Sequence, residues 1–330
     1  MNRTVVKAGQ KMVKTIIVSL LKVILLPFII LFSPLFYLVA KTGIGVPITR
    51  KFGFQPIRVH YYQPIPEYES VPEDYFHTKQ IFPGFDINLD RVTKTLKSLS
   101  SYAWECEWAE NQAEEGVYYT QNLNFGYSSA AILHSMIRAS QSKQVVEIGS
   151  GFSSLITLDA LKKNSPLGDF KFKCIEPFPS KWLAERMSQY SNSVDLLSQQ
   201  AEMVDSSVYQ ELNKNDILFI DSSHVSKLNS DVNFLYMQVL PRLKKGVIIH
   251  IHDIYIPYEY PKIHFYGQQK IFWNEQYILQ AFLTNNKDFE IILPGYYVQN
   301  DMKDDFQAAF PNYNPQIYRA TSSFWLRKVG

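Results

Sequence analysis

Along the middle of the chain, hydrophobic and polar positions fall into short blocks of two kinds. Compact apolar runs at Gln144 to Ile148, Phe170 to Ile175, Val194 to Leu197, Ile217 to Ile220 and Val247 to Ile251 predict buried strands. Between them, apolar residues recur at three- and four-residue spacing and predict helices over Ser153 to Lys162, Ser180 to Gln189, Ser206 to Leu212 and Val232 to Leu243. A helix over Asn274 to Leu283 and strands over Phe289 to Leu293 and Ser323 to Arg327 complete the series. Strands alternating with helices give an α/β, doubly wound, parallel sheet with helices on both faces. Upstream, Leu89, Val92, Leu96 and Leu99 predict a helix within residues 86 to 116, and a second is expected from Ser128 to Ala139. Residues 41 to 75 are rich in proline and tyrosine without a sustained period, which predicts a linker folded over the main domain.

The N-terminus follows a different pattern. Val23 to Ala40 is uncharged and almost wholly apolar, bounded by Lys22 and Lys41 and preceded by Arg3, Lys7, Lys11 and Lys14. Its length is just enough to cross a hydrocarbon core of roughly 30 Å. A membrane helix contacting lipid through residues 16–40 is the expectation, since no convincing cleavage site marks a signal peptide. Basic residues flank both ends, so orientation is weakly specified. Pro27 and Ser33-Pro34 would permit a kink that returns the chain to the same face. The main domain is expected on the cytoplasmic side of the membrane. The organisation is then 1–50 as an anchor, 51–140 as an N-terminal cap with helices, and 141–330 as the main domain.

Composition narrows the partners. Lys+Arg 33 against Asp+Glu 31 leaves a formal charge of +2, so no global field draws nucleic acid. Cys106 and Cys174 are far apart in sequence, which argues against a disulfide framework or a zinc site. Aromatic residues make up 15% of the chain, many of them tyrosines in proline-containing clusters, and Tyr61, Tyr62, Tyr118 and Tyr258 are candidates to line an acceptor pocket.

Chemistry is concentrated at the strand ends. Glu147-Ile148-Gly149-Ser150-Gly151 closes the first strand and opens a helix, where glycines let backbone approach a ligand. That turn lies at the carboxyl edge of a parallel sheet, where ligands bind. Ser154 stands where a dinucleotide fingerprint has its third glycine. Glu147 is positioned to meet a cationic ligand, and Glu176, ending the second strand, to accept ribose hydroxyls. The combination favours S-adenosylmethionine over a nicotinamide cofactor, with Glu147, Gly149, Ser150, Gly151, Glu176 and Asp221 as its contacts. The fourth strand ends in Asp221-Ser222-Ser223-His224 and the fifth in His250-Ile251-His252-Asp253. Asp221 and Asp253 are hard oxygen donors suited to Mg2+, and His224 or His252 is placed to take a proton from an acceptor hydroxyl. His250 should alternate away from His252 into the core.

These residues together resemble the class I S-adenosylmethionine-dependent methyltransferases, in particular the bacterial group similar to methyltransferase family 24. The resemblance is carried by Val146 to Ser154, Ile220 to His224 and Ile249 to Pro261, with Tyr118 to Asn122, Phe125-Gly126-Tyr127 and Trp273 to Tyr277 in support. It implies a Rossmann-like, mostly parallel seven-stranded sheet with one antiparallel edge strand, a cofactor held by Glu147, Gly149, Gly151 and Glu176, and carboxylates at Asp221 and Asp253 where related enzymes hold a metal. Ile254 departs from the catechol-type pattern, which has an asparagine ligand there, and residues 1 to 50 lie outside the family pattern. The leading expectation is O-methylation of a hydroxylated small molecule, or of a glycan or lipid-linked sugar at the membrane. A nicotinamide-dependent oxidoreductase and a noncatalytic scaffold are the alternatives.

Overall fold

The computed structural model describes residues 3–67, 70–267 and 270–330, with side chains described from residue 19 onward. The side chains of Arg3, Lys7, Lys11 and Lys14 therefore lie outside the described residues, as do those of residues 16–18 in the predicted lipid contact. The chain separates into two compact units, Met1–Val71 and Pro72–Gly330.

The first unit is built on helix α1 (Arg3–Thr42), which runs through Pro27 and Pro34 without a break. A proline removes one helix N–H; nearby, the Ser33 hydroxyl donates to the Ile29 carbonyl at 2.7 Å. The helix is thus continuous where a return bend was conceivable. Over Ser19–Thr42 its apolar side chains are uncovered, and the segment is long and apolar enough to cross a membrane, a test that a signal sequence also passes. Gly45, at φ +84°, turns the chain into α2 (Val46–Lys51), a short helix where the sequence predicts only linker. Tyr61 and Tyr62 are 75% and 79% exposed and cluster with His60.

The second unit carries the predicted sheet. Its strands are β1 (Gln144–Ile148), β2 (Lys171–Ile175), β3 (Val194–Leu197), β4 (Ile217–Ile220), β5 (Ile248–Ile251), β6 (Phe289–Pro294) and β7 (Phe324–Lys328). They lie in the order β3-β2-β1-β4-β5-β7-β6, parallel except for β7. The expected antiparallel edge strand is corrected in one respect: β7 is antiparallel but sits one place in, paired on both sides by β5 and β6, and β6 forms the edge. The chain leaves β5 by a crossover that skips one position, and β7 returns antiparallel to fill it.

Successive residues of the central strands pack into opposite cores, as the two-residue strand period requires. Val145, Phe172, Ile217, Phe219, Ile248 and Trp325 face one core. Val146, Ile175, Leu218, Ile220, Ile249 and Leu326 face the other. The first core is covered by α3 (Leu89–Ser100), α4 (Tyr127–Ser140), α5 (Phe152–Asn164) and α6 (Lys181–Ser188). The second is covered by α7 (Ser207–Gln210), a helical run beginning with α8 (Asp231–Phe234), and, following α9 (Lys262–Tyr266), by α10 (Glu275–Leu283). The run after α8 loosens to a π-helical turn over Leu235–Val239 and tightens over Leu240–Arg242. α11 (Gly295–Asp301) and α12 (Lys303–Ala309) fill the connection from β6 to β7, which the apolar pattern leaves unassigned.

The helix predicted within residues 86 to 116 is shorter than that span. Asn88 caps it by accepting from the Arg91 N–H at 2.9 Å, and it ends at Ser100. Beyond Glu105 the acidic run Glu107, Glu110, Glu114 and Glu115 offers no apolar stripe to bury, and the segment is a loop.

Candidate active site

The turn from β1 to α5 depends on one glycine above the others. Gly149 adopts φ +81°, and a Cβ there would fall well inside van der Waals contact of the Asp221 carbonyl. The Asp221 N–H in turn donates to the Ile148 carbonyl at 2.9 Å, so the ends of β1 and β4 are locked together. Gly151 is extended, and a Cβ on it would meet open space.

Beside this turn lies a cavity of about 290 Å³, lined by Gly149, Glu176, Phe178, Gln200, Asp221 and Ser222, among others. Glu176 occupies the predicted place at the end of β2. One carboxylate oxygen accepts from the Phe178 N–H at 2.8 Å and the other from the Ser150 N–H at 3.3 Å, fixing the carboxylate against the glycine turn.

Glu147 is placed differently from expectation. Its carboxyl is fully buried, does not line the cavity, and accepts the hydroxyls of Ser153 at 2.5 Å and Ser154 at 3.1 Å. Burial, strengthened by the charge of Asp221, raises its pKa from 4.5 to about 8 despite the serine hydrogen bonds, so at neutral pH it is mostly a neutral acid. It braces the first turn of α5 from below rather than presenting a charge to a ligand.

A consequence for stability follows from the sign of that shift. A carboxyl whose folded-state pKa lies above its unfolded value contributes fully below the unfolded value, and the contribution is lost as pH rises through the folded value. Wild-type melting temperature is expected to fall by roughly 5 to 10 °C between pH 5 and pH 8.5 from this group. In Glu147→Gln the amide keeps the neutral shape and that component of the slope should vanish. Parallel melting curves for the two proteins across this range would remove Glu147 as the cause.

On the other side of Asp221 a second cluster assembles. His224 Nε2 lies 3.3 Å from Asp221 Oδ1 and 3.6 Å from Asp253 Oδ2. His252 Nδ1 lies 3.4 Å from Asp221 Oδ1 and 3.5 Å from Asp253 Oδ1. The four residues predicted at the ends of β4 and β5 are therefore brought together, and Asp221 belongs both to this cluster and to the cavity. His224 and Asp253 reach it through left-handed backbone, at φ +57° and +56°. Asp221, His252 and Asp253 can each offer one donor atom within 4.8 Å of the others, so a metal is geometrically feasible, with an imidazole added to the predicted pair of carboxylates.

The electrostatics of the cluster run against the expected base. Burial disfavours a charge on His224, but hydrogen bonds and charges from Asp221 and Glu275 outweigh it and carry its pKa well above the ordinary histidine value. His252 is raised too: burial opposes its charge, and Asp221 and Asp253 overcome it. Burial likewise works against the charged Asp221, yet the two histidines hold it well below the carboxylate range. These directions favour positive charge on both rings and negative charge on Asp221.

Several members of the site escaped the sequence reading. Glu275, fully buried at the start of α10, accepts from His224 Nδ1 at 2.8 Å, while Trp273 packs against the same ring and the backbone N–H groups of Asn274 and Glu275 donate to the His224 carbonyl. Ser129 and Ser322 place hydroxyls 3.2 and 3.3 Å from His252 Nε2, and Ser322 also donates to Asp253 at 2.8 Å. Phe125 packs on the His252 ring with centroids 4.9 Å apart. Of these, only Phe125 and the stretch from Trp273 to Tyr277, both part of the resemblance, gave a signal in the sequence.

The four predicted acceptor-pocket tyrosines are divided between the two units. Tyr118 is a core residue, 6% exposed, with its hydroxyl donating to the Phe125 carbonyl at 2.9 Å, and it supports the packing behind His252. Tyr258 is half-buried, donates to Asp301 at 2.7 Å and packs edge-on to Tyr296. Tyr61 and Tyr62 belong to the first unit. His250 lies in the core as expected, stacked between Phe219 and Trp325.

Comparison with known proteins gives the following. A family model described as a methyltransferase domain, of the family 24 type, matches residues 146–254. An uncharacterized protein of Archaeoglobus fulgidus is 32% identical over 167 residues, covering 48% of this chain and 74% of the relative. Among solved structures, the SAH-bound Podospora anserina methyltransferase PaMTH1 aligns over 77% of this chain and 100% of its own, at 13% identity and a TM-score of 0.40. CmcI in its Mg-SAM form aligns over 80% of this chain and 94% of its own, at 17% identity and a TM-score of 0.34.

Proposed function

Because the chain belongs to the class I S-adenosylmethionine-dependent methyltransferases of the family 24 type, we propose that it O-methylates a hydroxylated small molecule, or a glycan or lipid-linked sugar presented at a membrane. The observation that carries this reading is the double membership of Asp221, which lines the cavity beside the glycine turn and anchors the carboxylate and histidine cluster. A methyl donor in the cavity and an acceptor at the cluster would thus meet across a single side chain.

The residues present fit the cofactor. Among the described residues, the hydroxyls of Ser150 and Ser222 are buried without a hydrogen-bond partner, and Gly151 opens onto free space where a side chain would intrude. Gly149, Ser150 and Gly151 would approach it through backbone, with Glu176 and Asp221 as carboxylate contacts. When bound, S-adenosylmethionine supplies an electrophilic methyl group on a sulfonium centre. Asp221 and Asp253 orient the acceptor hydroxyl, Asp253 takes its proton, and His224 and His252 hold both carboxylates in place. Tyr258 is the acceptor-side aromatic of this unit. Methyl transfer, rather than the nicotinamide-dependent alternative, is what the family match supports.

Calorimetry on the full chain in detergent should show binding of S-adenosylmethionine and none of a nicotinamide dinucleotide. Failure to bind the former would sink the proposal. Labelled methyl groups should then appear in membrane-glycan or lipid extracts, and a protein that binds cofactor but labels no extract component would point to the scaffold reading. The exposed apolar helix Ser19–Thr42 supports a membrane location, and the cytosolic source of the cofactor supports a catalytic domain on the cytoplasmic face. Protease added to closed, cytoplasm-out vesicles should digest the second unit; complete protection would place it on the opposite side.

A further inference from the structure

We infer that Asp221, Asp253 and His252 hold a divalent first-row transition ion, with the His252 ring nitrogen as an inner ligand that makes the site favour manganese over magnesium. The inference deepens the methyl-transfer reading and depends on it only for what the ion would serve.

The spacing of the donors is the first support. His252 Nδ1 stands 3.4 Å from Asp221 Oδ1 and 3.5 Å from Asp253 Oδ1. A charge-assisted N–H to carboxylate bond closes to about 2.7–2.9 Å. Two donors each about 2.1 Å from a common ion, at angles of about 90° to 110°, lie roughly 3.0 to 3.4 Å apart, which is nearer to what is seen.

The fixed orientation of the ring is the second. His252 is 4% exposed, its far nitrogen sits between the Ser129 and Ser322 hydroxyls, and Phe125 packs on its face. The Nδ1 atom is thereby aimed at the two carboxylates, as an outer shell of hydrogen bonds orients a ligating imidazole. Ser322 also donates to Asp253, so one hydroxyl serves two of the three donors.

Charge is the third. Three carboxylates, Asp221, Asp253 and Glu275, converge on two histidines at a site that is largely closed to solvent. Such a concentration requires positive charge, from ring protons or from an ion. His224, tied to Glu275 through Nδ1, faces the same two carboxylates and backs the site. Magnesium takes oxygen donors and dehydrates reluctantly, whereas first-row transition ions, manganese among them, accept an imidazole nitrogen in the set more readily. An asparagine oxygen in place of Ile254 would have shifted this balance toward magnesium; here the nitrogen stands without it.

The test uses the full chain in detergent, stripped with a chelator and titrated with Mn2+ alone. Free Mn2+ is read by its electron paramagnetic resonance signal, and pulsed measurements report nitrogen nuclei coupled to the bound ion. The expected results are one bound ion per chain, a clear nitrogen coupling, and displacement by Mg2+ only at a large excess, of about a hundredfold or more. His252→Asp should lose the nitrogen coupling and narrow the Mn2+ preference by about tenfold or more. Absence of nitrogen coupling in the wild-type protein, its persistence in His252→Asp, or displacement by equimolar Mg2+ would each overturn the inference. The wild-type measurement stands even if the variant fails to fold. Calorimetry with S-adenosylmethionine on the same sample separates the two readings: cofactor binding without nitrogen coupling defeats the ion alone, and nitrogen coupling without cofactor binding defeats methyl transfer alone.

Discussion

Gly149→Ala is expected to abolish S-adenosylmethionine binding and to lower the melting temperature by roughly 5 °C or more. Two costs add at this position. The left-handed backbone at φ +81° disfavours any side chain by about 1 kcal/mol or more. The added methyl would also press into the Asp221 carbonyl, which belongs to the backbone joining β4 to the cluster and cannot swing aside as a flexible side chain would. Relief requires β1 and β4 to part at the edge where the cavity lies, so the local damage falls on the binding surface. Gly151→Ala is the control, because its backbone is extended and its Cβ would point into open space. It should leave stability nearly unchanged while weakening the cofactor. Equal melting temperatures for Gly149→Ala and wild type would show that the turn relaxes, and the account of the β1–β4 junction would be wrong.

Asp221→Asn should reduce methyl transfer by roughly 10²- to 10⁴-fold while costing cofactor affinity far less. The side chain is 22% exposed, so it is reached from the cavity even though it sits among buried groups. An amide of the same shape still fills the space beside Gly149. It no longer carries the charge that faces His224 Nε2 and His252 Nδ1 and orients the acceptor between them and the cavity. Cofactor affinity by calorimetry and single-turnover labelling of a membrane-glycan extract give the two halves of the measurement. A parallel loss in both would make Asp221 a cofactor-holding residue only, and full activity would remove it from the chemistry. Glu275→Gln provides a contrast: it removes a charge from His224 without touching the cavity, and a smaller effect confined to turnover is expected.

The separation between what was legible in the sequence and what was not follows the range of the interactions involved. The strands and most helices of the second unit follow from local patterns, because a buried strand must be apolar and an amphipathic helix must repeat every three to four residues. The order of motifs at the strand ends was legible for the same reason. Once β1, β2, β4 and β5 are parallel, Gly149, Glu176, Asp221 and Asp253 must share one edge. The apolar run ahead of Lys41 was equally plain, since its length and composition suffice to cross a membrane, as those of a signal sequence also do.

Tertiary structure decided the rest. Pairing of β7 between β5 and β6 joins segments that local periodicity treats alike, and no feature of either strand distinguishes an edge from the place beside it. The direction of the Glu147 carboxyl, under the turn and onto Ser153 and Ser154, depends on how α5 docks on the sheet, so a residue expected to greet a ligand is a buried acid. Tyr118 looked like a pocket residue by its neighbours in sequence and is a core residue by its neighbours in space. Glu275 and Ser322 stand 51 and 70 residues from the histidines they contact, and only folding brings a carboxylate and a hydroxyl to those rings. The sequence by itself determined which chemical groups would arrive at the sheet edge; long-range packing determined which of them face one another, because side-chain partners across a fold are set by geometry that local pattern does not encode.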